Sequence, residues 1–156
     1  MSNQESTELR SESKLGVRSE GLWVGPITYE LYHSVYAKWW EARAIGMMPR
    51  ELLPTLGFLV WRGDTPCCGA WLYTTDSQYG HAAWFLRNPE LKQSDGADEE
   101  WDLLFSTMKQ VAWSIGVRMI FMTVKHPILI DRIVNRGFKT SGSGFTHFIC
   151  PLTGED

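Results

Sequence analysis

The sequence lacks the features that mark membrane, secreted and nucleic-acid-binding proteins. No window approaches the roughly 20 consecutive apolar residues that a membrane-spanning helix needs. The N-terminus has no basic start followed by an apolar stretch, which argues against a signal peptide. The net charge is −3 at pH 7, and acidic and basic residues are mixed along the 156 residues, so no basic stripe could neutralise phosphates. We therefore expect a cytoplasmic protein without a nucleic-acid or membrane partner.

Cysteine is also scarce, with three residues in the chain. Cys67 and Cys68 are adjacent and Cys150 is distant, and an odd number without a C-x-x-C motif argues against a disulfide framework or a zinc site. Reduced thiols suit the cytosol. The four histidines are scattered and complete no metal-ligand spacing, so no metal is expected.

Aromatic residues are abundant instead. The chain has eight Trp, seven Phe and five Tyr, which indicates a well-packed core, a ligand or partner surface, or both. None of them falls in residues 1–20, a polar segment that cannot bury enough apolar surface to offset its ordering entropy. We expect residues 1–20 to be a disordered or partner-ordered arm, residues 21–152 to form a single domain, and residues 153–156 to be a tail.

The first half of the predicted domain contains a strand, two helical segments and three further strands. Residues 21–27 predict a strand, and the apolar residues after Tyr29 recur at three- and four-residue steps, as on one face of a helix. Pro49 and Pro54 bracket a short helical turn. Residues 56–88 predict three strands that are apolar on both faces, which is typical of a sheet covered on both sides.

The second half alternates helices and strands. An amphipathic helix is predicted from about Trp101 to Gly116, and residues 117–124 predict a strand that is buried on both faces. Pro127 begins the next helix, and residues 138–152 predict two strands around an S-G-S-G turn. The predicted order is β-α-α-β-β-β-α-β-α-β-β.

This order, together with the phrase "NRGF" after the last helix, resembles the GCN5-related N-acetyltransferase (GNAT) superfamily. The carrying stretches include "NPEL", "GVRMIFMTV" and "RIVNRGF", and the resemblance covers roughly residues 21–152. The stretches "PRELLP" and "LGFLVWRGDTPCCGAWLY" are similar to short acetyltransferase-like proteins of tailed bacteriophages. The resemblance implies an α/β (α+β) fold with a central mixed, mostly antiparallel sheet and helices on both faces.

The resemblance also implies acetyl-CoA, or another acyl-CoA, as cofactor. In the family the fourth and fifth strands splay apart, and the pantetheine arm pairs with exposed backbone of the fourth strand, here Phe85, Leu86 and Arg87. The pyrophosphate lies on the loop and first helical turn that follow. The corresponding residues are Lys92, Gln93, Ser94, Asp95, Gly96 and Ala97.

The loop has physical features that favour and oppose an anion. Free backbone N–H groups at a helix start attract negative charge, and glycine allows close approach. The sequence matches the family pattern at Gln93 and Gly96 and departs from it at Asp98, where a small neutral residue is expected. Two unit charges ~8 Å apart repel by about 2 kcal/mol at an effective dielectric near 20. The carboxylates in question are Asp95, Asp98, Glu99 and Glu100.

Two interpretations of these carboxylates stay open. They could weaken a working pyrophosphate loop, or they could be ordinary stabilising residues of a first helical turn. Arg87 and Lys92 are the nearby cations in the sequence that could offset them.

The family's usual reaction is direct attack of an amine on the thioester, assisted by a base, with a Tyr on the last helix protonating the leaving thiolate. That Tyr position is Ile133 here, and the helix "ILIDRIVNR" has no Tyr, Ser or Cys. His126 is the candidate for the acid, and His81 and Asp76 are the candidates for the base. Each also has a structural explanation, as a loop His, a strand-edge His or a turn Asp.

Tyr32, Tyr36 and Trp40 lie on the aromatic face of the first helix. They could pack in the core, shape an acceptor pocket or form a protein-docking surface.

Two functions are therefore considered. The protein could be an N-acetyltransferase acting on a small-molecule or protein amine. Alternatively, it could be an inactive GNAT-fold binding or structural protein, such as a phage virion or host-takeover component, that binds a protein partner or itself.

Overall fold

A computed structural model describes residues 15–19, 21–44, 46–92 and 96–144, with the side chains of residues 17–19 outside this description. The chain divides into two compact units, Met1–Val124 and Lys125–Asp156. Among the described residues, no helix combines the length and the apolar character needed to cross a bilayer.

Within the described part of the first unit, six strands form one sheet whose spatial order follows the chain. Neighbouring strands are antiparallel except for the last two, which are parallel. The predicted mixed, mostly antiparallel sheet is confirmed. The strands are β1 (Gly16–Ser19), β2 (Leu22–Pro26), β3 (Leu56–Arg62), β4 (Thr65–Thr74), β5 (Tyr79–Arg87) and β6 (Met119–Met122).

Three consecutive helical segments follow β2. They are helix α1 (Tyr29–Leu31), a π-helical segment (Tyr32–Tyr36) and helix α2 (Ala37–Ala42). The Thr28 side chain accepts a hydrogen bond from the Leu31 N–H at 3.2 Å and so caps α1, as residues of this type do. The later helical elements are a 3-10 turn (Arg50–Leu52), helix α3 (Ala97–Ser114) and, in the second unit, helix α4 (Pro127–Val134).

The segment from α1 to α2 packs on one face of the sheet through an aromatic core. The Tyr36 ring lies 5.8 Å from the Trp71 ring of β4 and 5.1 Å from the Trp40 ring, both in edge-on contact. Such aromatic pairs contribute about 0.5–1.5 kcal/mol beyond their buried area. The buried members of this core are Ile27, Tyr32, Tyr36, Ala37, Trp39, Trp40, Leu53, Leu59, Trp71 and Leu86.

Helix α3 covers the other face. The Phe85 ring of β5 lies 5.5 Å from Phe105 and 6.3 Å from Trp101, two buried residues of this helix. Because both faces are covered, Phe58 and Leu59, which are successive residues of β3, are both fully buried. The prediction that the central strands are apolar on both sides is confirmed.

Strand β1 lies inside residues 1–20, the segment expected to be an arm. The Leu15 N–H donates to the Val24 carbonyl at 2.7 Å, and Gly16 pairs with Val24. A side chain at Gly16 would collide with Thr107 of α3, so the glycine lets this strand pass close to the helix. Pairing through the backbone needs no apolar side chains, which explains why composition did not indicate this strand. Residues 1–14 and 20 lie outside the described residues.

The C-terminal part of the predicted strand pattern differs from the structure. Strand β6 covers Met119–Met122 rather than residues 117–124, and Met119 is 65% and Phe121 39% exposed, so the expectation of burial on both faces is wrong. Strand β6 is short and lies at the edge of the described sheet, with β5 as its one described strand neighbour, so fewer residues cover its side chains. Residues 138–144 contain no strand, and residues 145–152 of the predicted last hairpin lie outside the described residues.

Candidate functional site

Strand β6 pairs with β5 along its whole length, and β5 continues beyond the last pair. Their parallel pairing runs from Tyr79↔Met119 to Ala82↔Met122, while β5 continues to Arg87. Residues 83–87 therefore have β4 as their strand neighbour in the described sheet. These two strands correspond to the fourth and fifth strands of the predicted pattern, since β1 was not expected.

Trp84 lies two residues beyond the last residue of β5 that pairs with β6. Its φ is +61°, a left-handed conformation that costs a non-glycine residue about 1–3 kcal/mol. The pairing of β4 with β5 shifts register at the same place, between Gly69 and Trp71. The Trp84 carbonyl accepts a hydrogen bond from the buried Tyr36 hydroxyl, and its indole Nε1 donates to the Tyr73 hydroxyl at 2.9 Å. Hydrogen bonds at both the carbonyl and the indole of Trp84 thus restrain this irregular part of the backbone.

Arg87 at the end of β5 is buried, with 4% of its side chain exposed. Its Nε and Nη2 donate to Glu100 Oε2 at 3.2 and 3.1 Å. Its Nη1 donates to the carbonyls of Leu91 and Lys92 at 3.2 and 2.7 Å. The guanidinium therefore braces the start of the following loop from inside, instead of offering its charge to a ligand in solvent.

Glu100 is likewise an internal residue, with 1% of its side chain exposed. Its second oxygen, Oε1, lies 3.6 Å from Arg62 Nη2, so two guanidinium groups compensate its charge. Asp98 and Glu99 are exposed, and Asp95 lies outside the described residues. Glu100 therefore stabilises the structure through ion pairs, and the acidic charge that faces solvent is smaller than the sequence indicated.

Arg62 was not among the residues that the sequence indicated. It is at the end of β3, far from the loop in the chain, so local pattern carries no signal for it. Gly96, at the start of α3, has a φ of +69°, and a Cβ there would lie 2.5 Å from Arg62 Nη2. Arg62 Nη2 also lies 3.6 Å from Glu99 Oε2, and the Arg62 side chain is 44% exposed. This places a partly exposed cation against the loop glycine.

The backbone around Gly96 suits a ligand-binding helix start. Gly96 precedes Ala97, the buried first residue of α3, an 18-residue helix whose dipole places partial positive charge here. Lys92, on the other side of the undescribed residues, is exposed. Gln93, Ser94 and Asp95, predicted to contact a pyrophosphate, lie outside the described residues.

Cys67 lies beside this charged cluster. Burial, and secondarily the negative charge and hydrogen bonding of Glu100, raise the pKa of the Cys67 thiol to about 12. Its Sγ donates to the Thr65 carbonyl at 3.3 Å. The thiol therefore stays protonated at neutral pH and is unsuited to act as a nucleophile.

The candidate base His81 lies on β5, opposite Tyr73 of β4 and Phe121 of β6. Its ring centroid is 6.3 Å from that of Tyr73 and 5.9 Å from that of Phe121. Partial burial lowers the pKa of His81, so its neutral form, which can accept a proton, is favoured. Asp76 is exposed in the turn that joins β4 to β5.

The second unit carries the remaining catalytic candidate. His126 is exposed and directly precedes α4, whose first residue is Pro127. Ile133, at the position where the resemblance implies a Tyr, is a buried residue of this helix and has no proton to donate. Within the part of the chain that the structure describes, no group of three or more His, Cys, Asp or Glu side chains could hold a metal ion.

Tyr32, Tyr36 and Trp40 do not form a surface. Their exposed fractions are 2%, 0% and 1%, and the Tyr32 hydroxyl donates to the Met48 carbonyl at 2.6 Å. Of the uses considered for these residues, core packing is the one that their burial supports. The spacing of these residues correctly predicted that they share one face of a helix. Spacing alone does not distinguish a face that packs in the core from one that lines an acceptor pocket.

A cavity of about 230 Å³ lies elsewhere on the sheet. Residues of β2, β3 and the start of α1 line it, including Trp23 and Trp61, whose stacked rings are 5.4 Å apart. Strands β4 and β5 separate these strands from β6. This cavity is therefore distinct from the stretch of β5 around Trp84.

The sequence matches no protein-family model and has no significant match among curated proteins. Solved structures, however, share its fold. N-acetylglutamate synthase from Neisseria gonorrhoeae, complexed with coenzyme A and N-acetyl-glutamate, is similar with a TM-score of 0.60 and 17% identity over 81% of this chain. The chain corresponds to 30% of the length of that protein.

Two similar structures match along almost their whole length. An aminoglycoside acetyltransferase from an uncultured soil sample, complexed with sisomicin, has a TM-score of 0.60 and 12% identity, covering 86% of this chain and 98% of the other. A GNAT-family acetyltransferase from Streptococcus pneumoniae has a TM-score of 0.55 and 12% identity, covering 82% and 98%. The fold is that of the GNAT acyl-CoA N-acyltransferases. Sequence identities of 12–17% support a shared fold and nothing more specific.

Proposed function

We propose that the protein binds acetyl-CoA, or another acyl-CoA, in the gap between β5 and β6 and transfers the acyl group to an amine. The observation that carries this proposal is that β5 continues beyond its last pair with β6, Ala82↔Met122, beside the left-handed Trp84. The similar N-acetylglutamate synthase from Neisseria gonorrhoeae is complexed with coenzyme A, which supports a cofactor of this class.

The pantetheine arm would lie along the part of β5 that has left β6. Its amide groups would pair with the backbone at Phe85, Leu86 and Arg87, as an added strand does. The Arg87 carbonyl accepts a hydrogen bond from Arg43 Nη2 at 2.6 Å, which places a second guanidinium at this end of the strand.

The phosphates would lie at the start of α3, on Lys92, Gln93, Ser94, Asp95, Gly96 and Ala97. Three features of the described residues fit an anion there. Glu100 is paired internally, Gly96 has a left-handed backbone, and the Arg62 guanidinium lies against Gly96. Asp98 and Glu99 remain exposed and oppose the phosphates, so we expect the affinity to be modest.

Acetyl-CoA supplies an activated thioester, and the protein would supply position and proton transfer. The amine nitrogen attacks the carbonyl carbon, the carbon–sulfur bond breaks, and the proton from nitrogen passes to a base while the thiolate takes up a proton. His81, held neutral by its burial, is the base that we propose, with Asp76 as the alternative. His126 is the proposed acid, since Ile133 cannot donate a proton.

Binding is tested by titrating the protein with acetyl-CoA and following the heat and the thermal midpoint. Ligand at 100 times its Kd adds about 2.7 kcal/mol of stability, which corresponds to a rise of about 5–10 °C for a chain of this size. Gly96→Glu should abolish both signals. Gly116→Glu is the matched control, because it adds the same charge at another glycine with positive φ, where nothing lies within 4 Å of the new Cβ.

A second candidate is a GNAT-fold binding or structural protein that has lost the cofactor. Ile133 at the expected acid position and the exposed Asp98 and Glu99 favour it. Such a protein would bind a protein partner or itself, as a phage virion or host-takeover component. For either candidate we propose a cytoplasmic location, which would be the host cytoplasm or the virion if the protein is encoded by a phage. No heat and no thermal shift at millimolar acetyl-CoA would refute the enzyme and leave this candidate.

A further inference from the structure

We infer that the Tyr36 hydroxyl is a positioning group for the proposed cofactor site: its hydrogen bond to the Trp84 carbonyl holds β5 in the conformation that it takes beyond its last pair with β6. The inference rests on the proposed acyl-CoA function for its consequence in binding. Tyr36 is fully buried in the core beneath the sheet and so acts through Trp84, not by touching a ligand.

Trp84 needs such a restraint because its φ of +61° is unfavourable for a bulky side chain. A conformation of this kind persists where the surrounding contacts over-determine it. Its place in the chain matters, since Ala82 is the last residue of β5 to pair with β6, and Phe85 begins the stretch proposed to pair with the cofactor. A relaxed Trp84 would change the direction of that stretch.

Three contacts restrain Trp84, and they act on different parts of it. The ring lies edge-on to Trp40 at 5.9 Å, and the indole Nε1 donates to the Tyr73 hydroxyl, which itself donates to the Leu52 carbonyl at 3.1 Å. These two contacts orient the side chain. The bond from Tyr36 acts on the backbone, where the left-handed conformation is located.

The Tyr36 ring packs against Gly69 of β4, and its hydroxyl lies beyond this glycine at the Trp84 carbonyl. A Cβ at Gly69 would lie 2.8 Å from Tyr36 Cε2 and 2.7 Å from the Phe58 carbonyl oxygen, so no larger residue fits there without a shift. Gly69 pairs with Leu86, and the register of β4 against β5 shifts just after it. Gly69 therefore leaves space for the Tyr36 ring next to the irregular part of β5.

The π-helical segment offers a matched control. Tyr32 and Tyr36 lie at its two ends, both are buried, and each hydroxyl donates to a backbone carbonyl, that of Met48 for Tyr32. Burial raises the pKa of both phenols, so both stay protonated donors at neutral pH. Tyr32→Phe and Tyr36→Phe thus remove the same group from the same helix, but only the second removes a restraint on β5.

The experiment measures hydrogen–deuterium exchange across Tyr79–Arg87 without ligand, and the acetyl-CoA Kd by calorimetry, in both variants. We expect faster exchange in that segment in Tyr36→Phe alone. If the competent conformation falls to about a tenth of the molecules, the apparent Kd rises about tenfold. Tyr32→Phe should leave the exchange unchanged and the Kd within about twofold.

Each outcome decides the inference. Equal exchange and equal Kd in the two variants would overturn it. If the wild-type protein binds no acetyl-CoA, the proposed function fails, and exchange alone decides whether Tyr36 holds this strand. Should Tyr36→Phe not fold, Gly69→Ala is the second test, because the new methyl group would lie 2.8 Å from Tyr36 Cε2 and displace the phenol from the Trp84 carbonyl. It should speed exchange in the same segment, and unchanged exchange would overturn the inference.

Discussion

The Arg87 guanidinium and the Glu100 carboxylate form a buried ion pair in which Nε and Nη2 both donate to Oε2, at 3.2 and 3.1 Å. Arg87 ends β5 and Glu100 lies in the first turn of α3, so the pair joins the strand to the helix across the loop proposed to hold phosphates. The further bonds from Arg87 Nη1 to the carbonyls of Leu91 and Lys92 extend this brace into the loop.

Removing one partner of this pair should strongly destabilise the protein. Glu100→Ala removes the buried carboxylate that accepts two hydrogen bonds from the Arg87 guanidinium, and we expect the free energy of unfolding to fall by about 3–5 kcal/mol. Urea denaturation measures this loss. Glu99→Ala, at the neighbouring exposed carboxylate, is the control and should change stability by no more than about 0.5 kcal/mol. Equal losses in the two variants would contradict the internal role of Glu100.

The charge of Arg62 should contribute to cofactor affinity and depend on salt. Arg62→Gln leaves Glu99 and Asp98 less compensated beside Gly96, and we expect the acetyl-CoA Kd to rise roughly two- to fivefold at low salt. The difference should shrink at about 1 M salt, where the screening length is about 3 Å. Arg118→Gln removes an exposed cation that stacks on Trp113 near the end of α3, and it should not alter the Kd. A salt-independent effect of Arg62→Gln would argue against this electrostatic role.

The raised pKa of Cys67 predicts an alkaline dependence of stability. The unfolded thiol ionises near its usual pKa of 9.0, whereas the folded thiol keeps its proton up to about 12. The unfolded state therefore binds fewer protons between these values, and the stabilising contribution, complete below pH 9, is lost as the pH rises towards 12. Denaturation of wild type and Cys67→Ala over this range isolates the thiol, and parallel curves would refute its burial.

The lowered pKa of His81 predicts the opposite dependence on the acid side. Burial disfavours the charged imidazole in the folded state, so the unfolded state binds more protons as the pH falls below the usual pKa of 6.5. The contribution of His81 is complete above that pH and declines below it. Thermal midpoints of wild type and His81→Gln should converge between about pH 7 and pH 5. A constant difference would show that the histidine titrates alike in both states.

The sequence predicted the elements whose signals are local. Runs of apolar and aromatic residues identified β3, β4 and β5, and their apolar character on both sides correctly indicated a covered sheet. The three- and four-residue spacing identified α3 from about Trp101, and Gly96 was assigned to the loop that leads into it. Each of these signals depends on neighbours within a few residues along the chain.

Contacts between distant residues could not be read in this way. Arg62 reaches Gly96 from another strand, and the Tyr36 hydroxyl bonds to a carbonyl 48 residues later. The exposure of Phe121 depends on which elements cover a strand, and the left-handed backbone of Trp84 contradicts its residue type. None of these has a periodic or compositional signature.

The amino-acid order alone thus determined the class of fold and the place of the loop, because backbone propensity, side-chain period and glycine conformation act locally. The tertiary structure decided which charges face the loop, which tyrosine restrains β5 and where β5 leaves β6. Those outcomes depend on the distances between packed elements. A buried charge or hydroxyl needs a hydrogen-bond or ion-pair partner, and packing can bring that partner from any position along the chain.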